Sequence, residues 1–124
     1  MRKWVVIFLT TFLSVVVAAA EDAAAITKLI EDINAAVRTN KQRMLSIITI
    51  NTDVAGSTLE EEKTRTGLSF GEIYVAHSLA LATKKKFSTI VALKKSGQSW
   101  TQIANSHKVT LKGSSQLIKE MQKQ

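Results

Sequence analysis

Ser69-Phe70-Gly71-Glu72-Ile73-Tyr74-Val75-Ala76-His77-Ser78-Leu79-Ala80-Leu81-Ala82 begins with a serine and carries a glutamate three residues later. That is the capping box, in which hydroxyl and carboxylate each satisfy a free backbone amide at a helix start. The spacing predicts a helix over residues 70–82. Ile73, Val75, Ala76, Leu79 and Leu81 leave it apolar on most sides. A helix of that kind is the buried centre of its domain.

The same grammar recurs on both sides of this segment. Ser57-Thr58-Leu59-Glu60 and Ser99-Trp100-Thr101-Gln102 are two further capping boxes, and Gly67 fits a helix stop. Asn51 to Gly56 clusters turn-forming residues. An aromatic followed three residues later by isoleucine occurs at Phe70/Ile73, Phe87/Ile90 and Trp100/Ile103. Each pair lies one turn apart on one face of an expected helix and is expected to be core. Proline is absent and only five glycines occur. The fold class that follows is all-α: a small bundle of four to six helices, one long N-terminal helix followed by several short ones.

The long helix is expected over residues 21–50 and the short-helix bundle over 57–124. Ile26, Ile30, Ile33, Val37, Asn40, Met44 and Ile47 alternate steps of four and three, which draws one stripe along a helix. Asn40 places a polar group in that stripe, as does a buried asparagine that sets register in a coiled coil. Self-association through the 26–47 helix is one expectation. An amphipathic helix packed on its own domain is the other, and three heptads favour it.

The N-terminus has the layout of a secretory signal peptide over residues 1–20. Met1-Arg2-Lys3 is basic, Trp4 to Val17 is almost unbroken apolar sequence, and Ala18-Ala19-Ala20 precedes Glu21-Asp22. Cleavage is expected between Ala20 and Glu21, leaving a single helical domain over 21–124. The chain is therefore expected to be exported, to the periplasm or beyond. An uncleaved inner-membrane anchor is the alternative, since Trp4 to Ala20 is at the lower edge of a bilayer span. There is no cysteine, so neither a disulfide nor a thiolate zinc site can form, and packing alone must hold the domain.

Formal charge is +7 for the whole chain and unevenly placed. Residues 21–65 hold six basic and eight acidic side chains, whereas residues 66–124 hold nine lysines against Glu72 and Glu120. A basic half points to an anionic partner, and outside the cytoplasm that means an anionic cell-envelope component or a membrane surface. Lys84, Lys85, Lys86, Lys94 and Lys95 are the expected surface for it. Catalytic chemistry has little to stand on. His77 and His107 are the two histidines, and no metal-binding HExxH, phosphate loop or nucleophile elbow occurs. Glu60-Glu61-Glu62 point in different directions on a helix. No catalytic, cofactor-binding or metal-ligating residue is assigned. The expected role is a non-enzymatic binding or structural protein of the envelope.

Three resemblances bear on this. Gln102-Ile103-Ala104 through Val109-Thr110 resembles part of a helix-turn-helix, with Lys108 where that motif has glycine. An exported protein, however, does not meet chromosomal DNA. Gly97-Gln98-Ser99-Trp100 with Ile103-Ala104 and Val109-Thr110 is similar to the central segment of a LysM domain, which implies binding to peptidoglycan-type glycans. Such a module needs flanking strands, and Phe87 to Lys95 lacks the alternation of one. The longest series runs Thr66-Gly67-Leu68-Ser69-Phe70-Gly71-Glu72-Ile73, Val75-Ala76-His77-Ser78-Leu79-Ala80, Lys86-Phe87, Ile90-Val91-Ala92-Leu93-Lys94, Ser96-Gly97, Trp100 and Ile103-Ala104. It resembles a group of small exported bacterial proteins of unknown function that read TGLGFGE, ANSLA, GKSF, IVALKxSGxGW and IA. This chain departs at His77 for asparagine, at Lys85 for the glycine and at Lys86 for the serine. The resemblance implies a helical fold and export, and no activity.

Overall fold

The computed structural model describes residues 23–108 and 114–122, all-α with no strand among them. The expected leader and its cut at Ala20 and Glu21 lie outside the described residues. Seven helices follow one another: α1 (23–39), α2 (Lys41–Thr52), α3 (Gly56–Thr66), α4 (Phe70–Thr83), α5 (Phe87–Lys95), α6 (Trp100–Ser106) and α7 (Ser114–Gln122). Among the described residues no helix is long and apolar enough to cross a membrane.

α4 is the centre of the bundle, with nine of its residues buried. Its capping box forms as expected: Ser69 Oγ accepts from the Glu72 amide at 3.2 Å, and Glu72 Oε1 accepts from the Ser69 amide at 3.2 Å. The box at Ser99 and Gln102 forms likewise and starts α6. Gly67 ends α3 in the left-handed conformation (φ 75°), which a residue without a Cβ adopts without strain. The three aromatics open α4, α5 and α6, with Phe70 and Trp100 buried and Phe87 packed against the core.

Two local expectations are corrected. The reach from 21 to 50 is not one helix: Asn40 leaves helical geometry (φ −152°, ψ 89°) and its side chain accepts from the Arg43 amide at 3.1 Å. Asn40 is exposed and caps α2, rather than sitting in a seam. A short amide that can bond the backbone three residues on favours a helix start over a helix interior. The apolar stripe survives the break. Leu29 and Ile33 from α1 and Met44, Ile47 and Ile48 from α2 all enter this chain's own core. The capping box at Ser57 and Glu60 does not form, because α3 begins two residues earlier than that box requires, at Gly56, on an Ala55 N-cap without a side-chain bond.

α1 crosses the start of α4 at close range. The Gly71 amide donates to Asn34 Oδ1 at 2.8 Å, and Ile30 lies directly over Gly71. At the far side, Arg43 Nη2 donates to the Glu120 carbonyl at 3.1 Å and reaches that of Met121 at 3.5 Å, so a cation from α2 closes the C-terminal end of α7. Leu117 of α7 is fully buried beside this contact.

Tyr74 is buried on α4, and burial pushes its phenol above the usual range, while a hydrogen bond with Ser78 pulls the other way. The native state therefore holds that proton more tightly than the unfolded chain does. The associated stability is complete below the unfolded phenol value, about pH 10, and is lost as pH rises from there through the folded value. Chemical denaturation at stepped alkaline pH should show this decline in the native protein and a shallower one in Tyr74→Phe.

Candidate anionic-partner site

The five lysines expected to form one surface sit at the two ends of α5. Lys84, Lys85 and Lys86 form the turn between α4 and α5, and Lys94 and Lys95 end α5. Seven helical residues, 87–93, lie between the groups, and Lys86 and Lys94 are about 12 Å apart along the axis.

The groups also differ in what occupies them. Lys94 is half-buried with its ammonium 5.2 Å from the Trp100 ring centroid, a cation–π contact. Lys95 Nζ donates to the Thr66 carbonyl at 2.7 Å, across to the end of α3. Both cations help to join helices. Lys84, Lys85 and Lys86 are all exposed, and no carboxylate among the described residues lies within ion-pair distance of them. Other acids are already engaged: Glu60 with Lys41, Glu61 with Arg65, Asp32 with Lys28 and Glu62 with His77.

The turn that carries the three free lysines is tightly built. The Lys85 amide donates to the Ala80 carbonyl at 3.0 Å and the Lys84 amide to Leu81 at 3.4 Å, which is the Schellman pattern. The left-handed residue of that pattern is Lys84 (φ 60°). The glycine expected at Lys85 therefore belongs one residue earlier. Lys86 is the N-cap of α5 and makes no side-chain cap. The turn thus has lysine where glycine and serine would be better. Lys84→Gly should stabilise the fold by about 1 kcal/mol by relieving the left-handed strain, and Lys86→Ser by about 1 kcal/mol by supplying the cap. Thermal melts of the two variants and of the pair read this directly.

A buried pair fixes the turn from below. His77 Nε2 and Glu62 Oε1 are 2.7 Å apart, joining α4 to α3 with both side chains almost fully enclosed. The other face of the imidazole work is aromatic: the ring stacks on Phe87, the first residue of α5, with centroids 4.1 Å apart and planes 14° from parallel. His77 is thus a satisfied core histidine. The sequence did not show that Glu62, of three adjacent glutamates, is its partner.

One residue read as core is not. Leu81 is 63% exposed, although it continues the ridge of Ile73 and His77. α3 and α5 cover that ridge as far as His77, through Glu62 and Phe87, and among the described residues nothing buries it one turn later. His107 caps α6, and its Nδ1 lies 2.8 Å from the Ile103 carbonyl.

Elsewhere an open groove of about 620 Å³ runs between α2 and α3, lined by Gln42, Leu45, Ser46, Thr49, Ile50 and Glu60 among others. Its single carboxylate is the one paired with Lys41. Among the described residues no three His, Asp or Glu side chains are grouped so as to hold a metal ion. Lys108 takes a left-handed conformation (φ 56°) at the position where the LysM and helix-turn-helix patterns have glycine, and Val109 and Thr110 lie outside the described residues. Phe87 to Lys95, where a LysM module would place a strand, is helix α5.

No family model matches this chain, and no curated protein or solved structure matches it either.

Proposed function

We propose that this chain is an exported, non-enzymatic helical protein of the cell envelope that engages an anionic partner through a basic turn. The observation that supports it is the set of three consecutive exposed lysines, Lys84, Lys85 and Lys86, that no acid neutralises among the described residues. Two of them occupy positions where glycine and serine would make the fold more stable. Retaining lysine there is the expected signature of a surface selected for binding. Lys94 and Lys95 belong to the fold, so the surface narrows from five lysines to three.

Each lysine near an anionic surface contributes roughly 1 kcal/mol, so the three together give about 3 kcal/mol, near a hundredfold in partition. Charge reversal of all three should therefore abolish retention on anionic vesicles and cell-wall fractions in a sedimentation assay. Raising salt should weaken the native interaction, because exposed charges are screened. Lys84→Gly with Lys86→Ser should weaken binding while raising the melting temperature, which separates loss of the site from loss of the fold. Unchanged retention after charge reversal would sink the proposal. Export is tested by mass spectrometry of the protein recovered outside the cytoplasm, which should begin at Glu21.

A further inference from the structure

We infer that the anionic partner is a lipid bilayer, met by the α4–α5 turn with Leu81 entering the headgroup boundary and Lys84, Lys85 and Lys86 on the phosphates. This rests on the basic turn proposed above and names its partner class. Leu81 and Ile50 are the large apolar side chains left exposed among the described residues. Ile50 lies in the α2–α3 groove, whose one carboxylate, Glu60, is already paired with Lys41. Leu81 is different: Lys84, Lys85 and Lys86 follow it by three to five residues. The Lys84 amide bonds its carbonyl, and exposed Ala82 follows it.

A soluble polyanion uses only the charge of such a turn and gains nothing from a leucine. A bilayer uses both, because its phosphates lie directly above an apolar layer that an isobutyl group can reach. The turn needs no folding on contact. The Schellman bonds, the Thr83 hydroxyl on the Leu79 carbonyl at 2.7 Å and the stack of Phe87 on His77 already hold it. Binding to a preformed surface avoids the ordering entropy that a flexible basic tail would lose.

The test uses protein purified from cells expressing the full chain. It is sedimented with phosphatidylcholine vesicles, with phosphatidylcholine–phosphatidylglycerol vesicles and with purified peptidoglycan. Retention on the phosphatidylglycerol vesicles alone is expected. Leu81→Ala removes an exposed side chain, leaves the circular dichroism unchanged and lowers that retention about tenfold. Leu81→Trp shifts its emission to the blue on the same vesicles, whereas buried Trp100 of the native chain does not respond. If charge reversal at 84–86 abolishes retention but Leu81→Ala binds as the native chain and Leu81→Trp shows no shift, the bilayer inference is overturned and the basic site stands. Equal retention on phosphatidylcholine alone, or retention on peptidoglycan only, overturns it too. If no anionic probe retains the protein, both proposals fall together.

Discussion

Gly71→Ala should destabilise this protein more than any other exchange of one hydrogen for one methyl. A Cβ at position 71 would stand 2.5 Å from the Ile30 carbonyl oxygen and 2.9 Å from the Ile30 Cα. Both are backbone atoms, so no rotamer change relieves the contact. α1 would have to move away from α4. That movement stretches the bond from the Gly71 amide to Asn34 and withdraws Leu29 and Ile33 from the core. Alanine's better helix propensity returns about 1 kcal/mol, and overpacking against rigid backbone costs about 3 or more, so the net loss is about 2 kcal/mol. Urea denaturation should show a lower midpoint with an unchanged slope. Gly56→Ala is the control. It lies in the first turn of α3, and its nearest neighbour would be Leu45 Cβ at 4.0 Å. That variant should be neutral or stabilised by a few tenths of a kcal/mol. Equal behaviour of the two glycines would mean that α1 does not cross α4 as described.

The second large effect is expected at Glu62 and His77. His77→Phe keeps an aromatic ring against Phe87 but leaves the Glu62 carboxylate buried without its partner, a loss of about 3 kcal/mol. Glu62→Leu leaves the imidazole without its hydrogen bond and should cost about 2 kcal/mol. Combined, the two changes bury two apolar side chains of suitable size and leave no orphaned polar group. The double variant should therefore lie close to the native protein, well short of the sum. A double-mutant cycle by urea denaturation should give a coupling of at least about 1.5 kcal/mol. Strict additivity would show that the two side chains do not depend on each other. Because the pair seats the first residue of α5, either single change should also loosen the basic turn, and amide exchange at residues 84–88 would report it.

Much of the helical plan was legible from local sequence. Ser69 with Glu72 and Ser99 with Gln102 each begin a helix where the capping box places one. A cap needs only residues three apart, so tertiary contacts rarely override it. The same reasoning failed at Ser57, where the three-residue link after α2 lets α3 start at Gly56 and leaves the serine inside the helix. It failed again at Asn40. The heptad spacing runs through that residue undisturbed, yet the asparagine caps a new helix. Periodicity records which side of the chain is apolar, and both halves of the broken helix keep that side toward the core.

The candidate site was legible only in part. Composition pointed to the lysines, and five of them were marked. That Lys94 lies on Trp100 and Lys95 on the Thr66 carbonyl depends on α6 and α3 lying beside α5. That Leu81 is exposed depends on where the covering helices stop.

The sequence by itself determined an all-α chain, the starts of α4 and α6, the stop at Gly67 and an excess of lysine in the second half. Each rests on interactions within about one helical turn, or on composition, which neighbours in space do not alter. The tertiary structure decided which glutamate meets His77, fifteen residues away, and which amide meets Asn34, thirty-seven residues away. It also decided which three of the five lysines face solvent without a partner. Those outcomes are set by how helices distant in the chain pack against one another, and no local pattern encodes that packing.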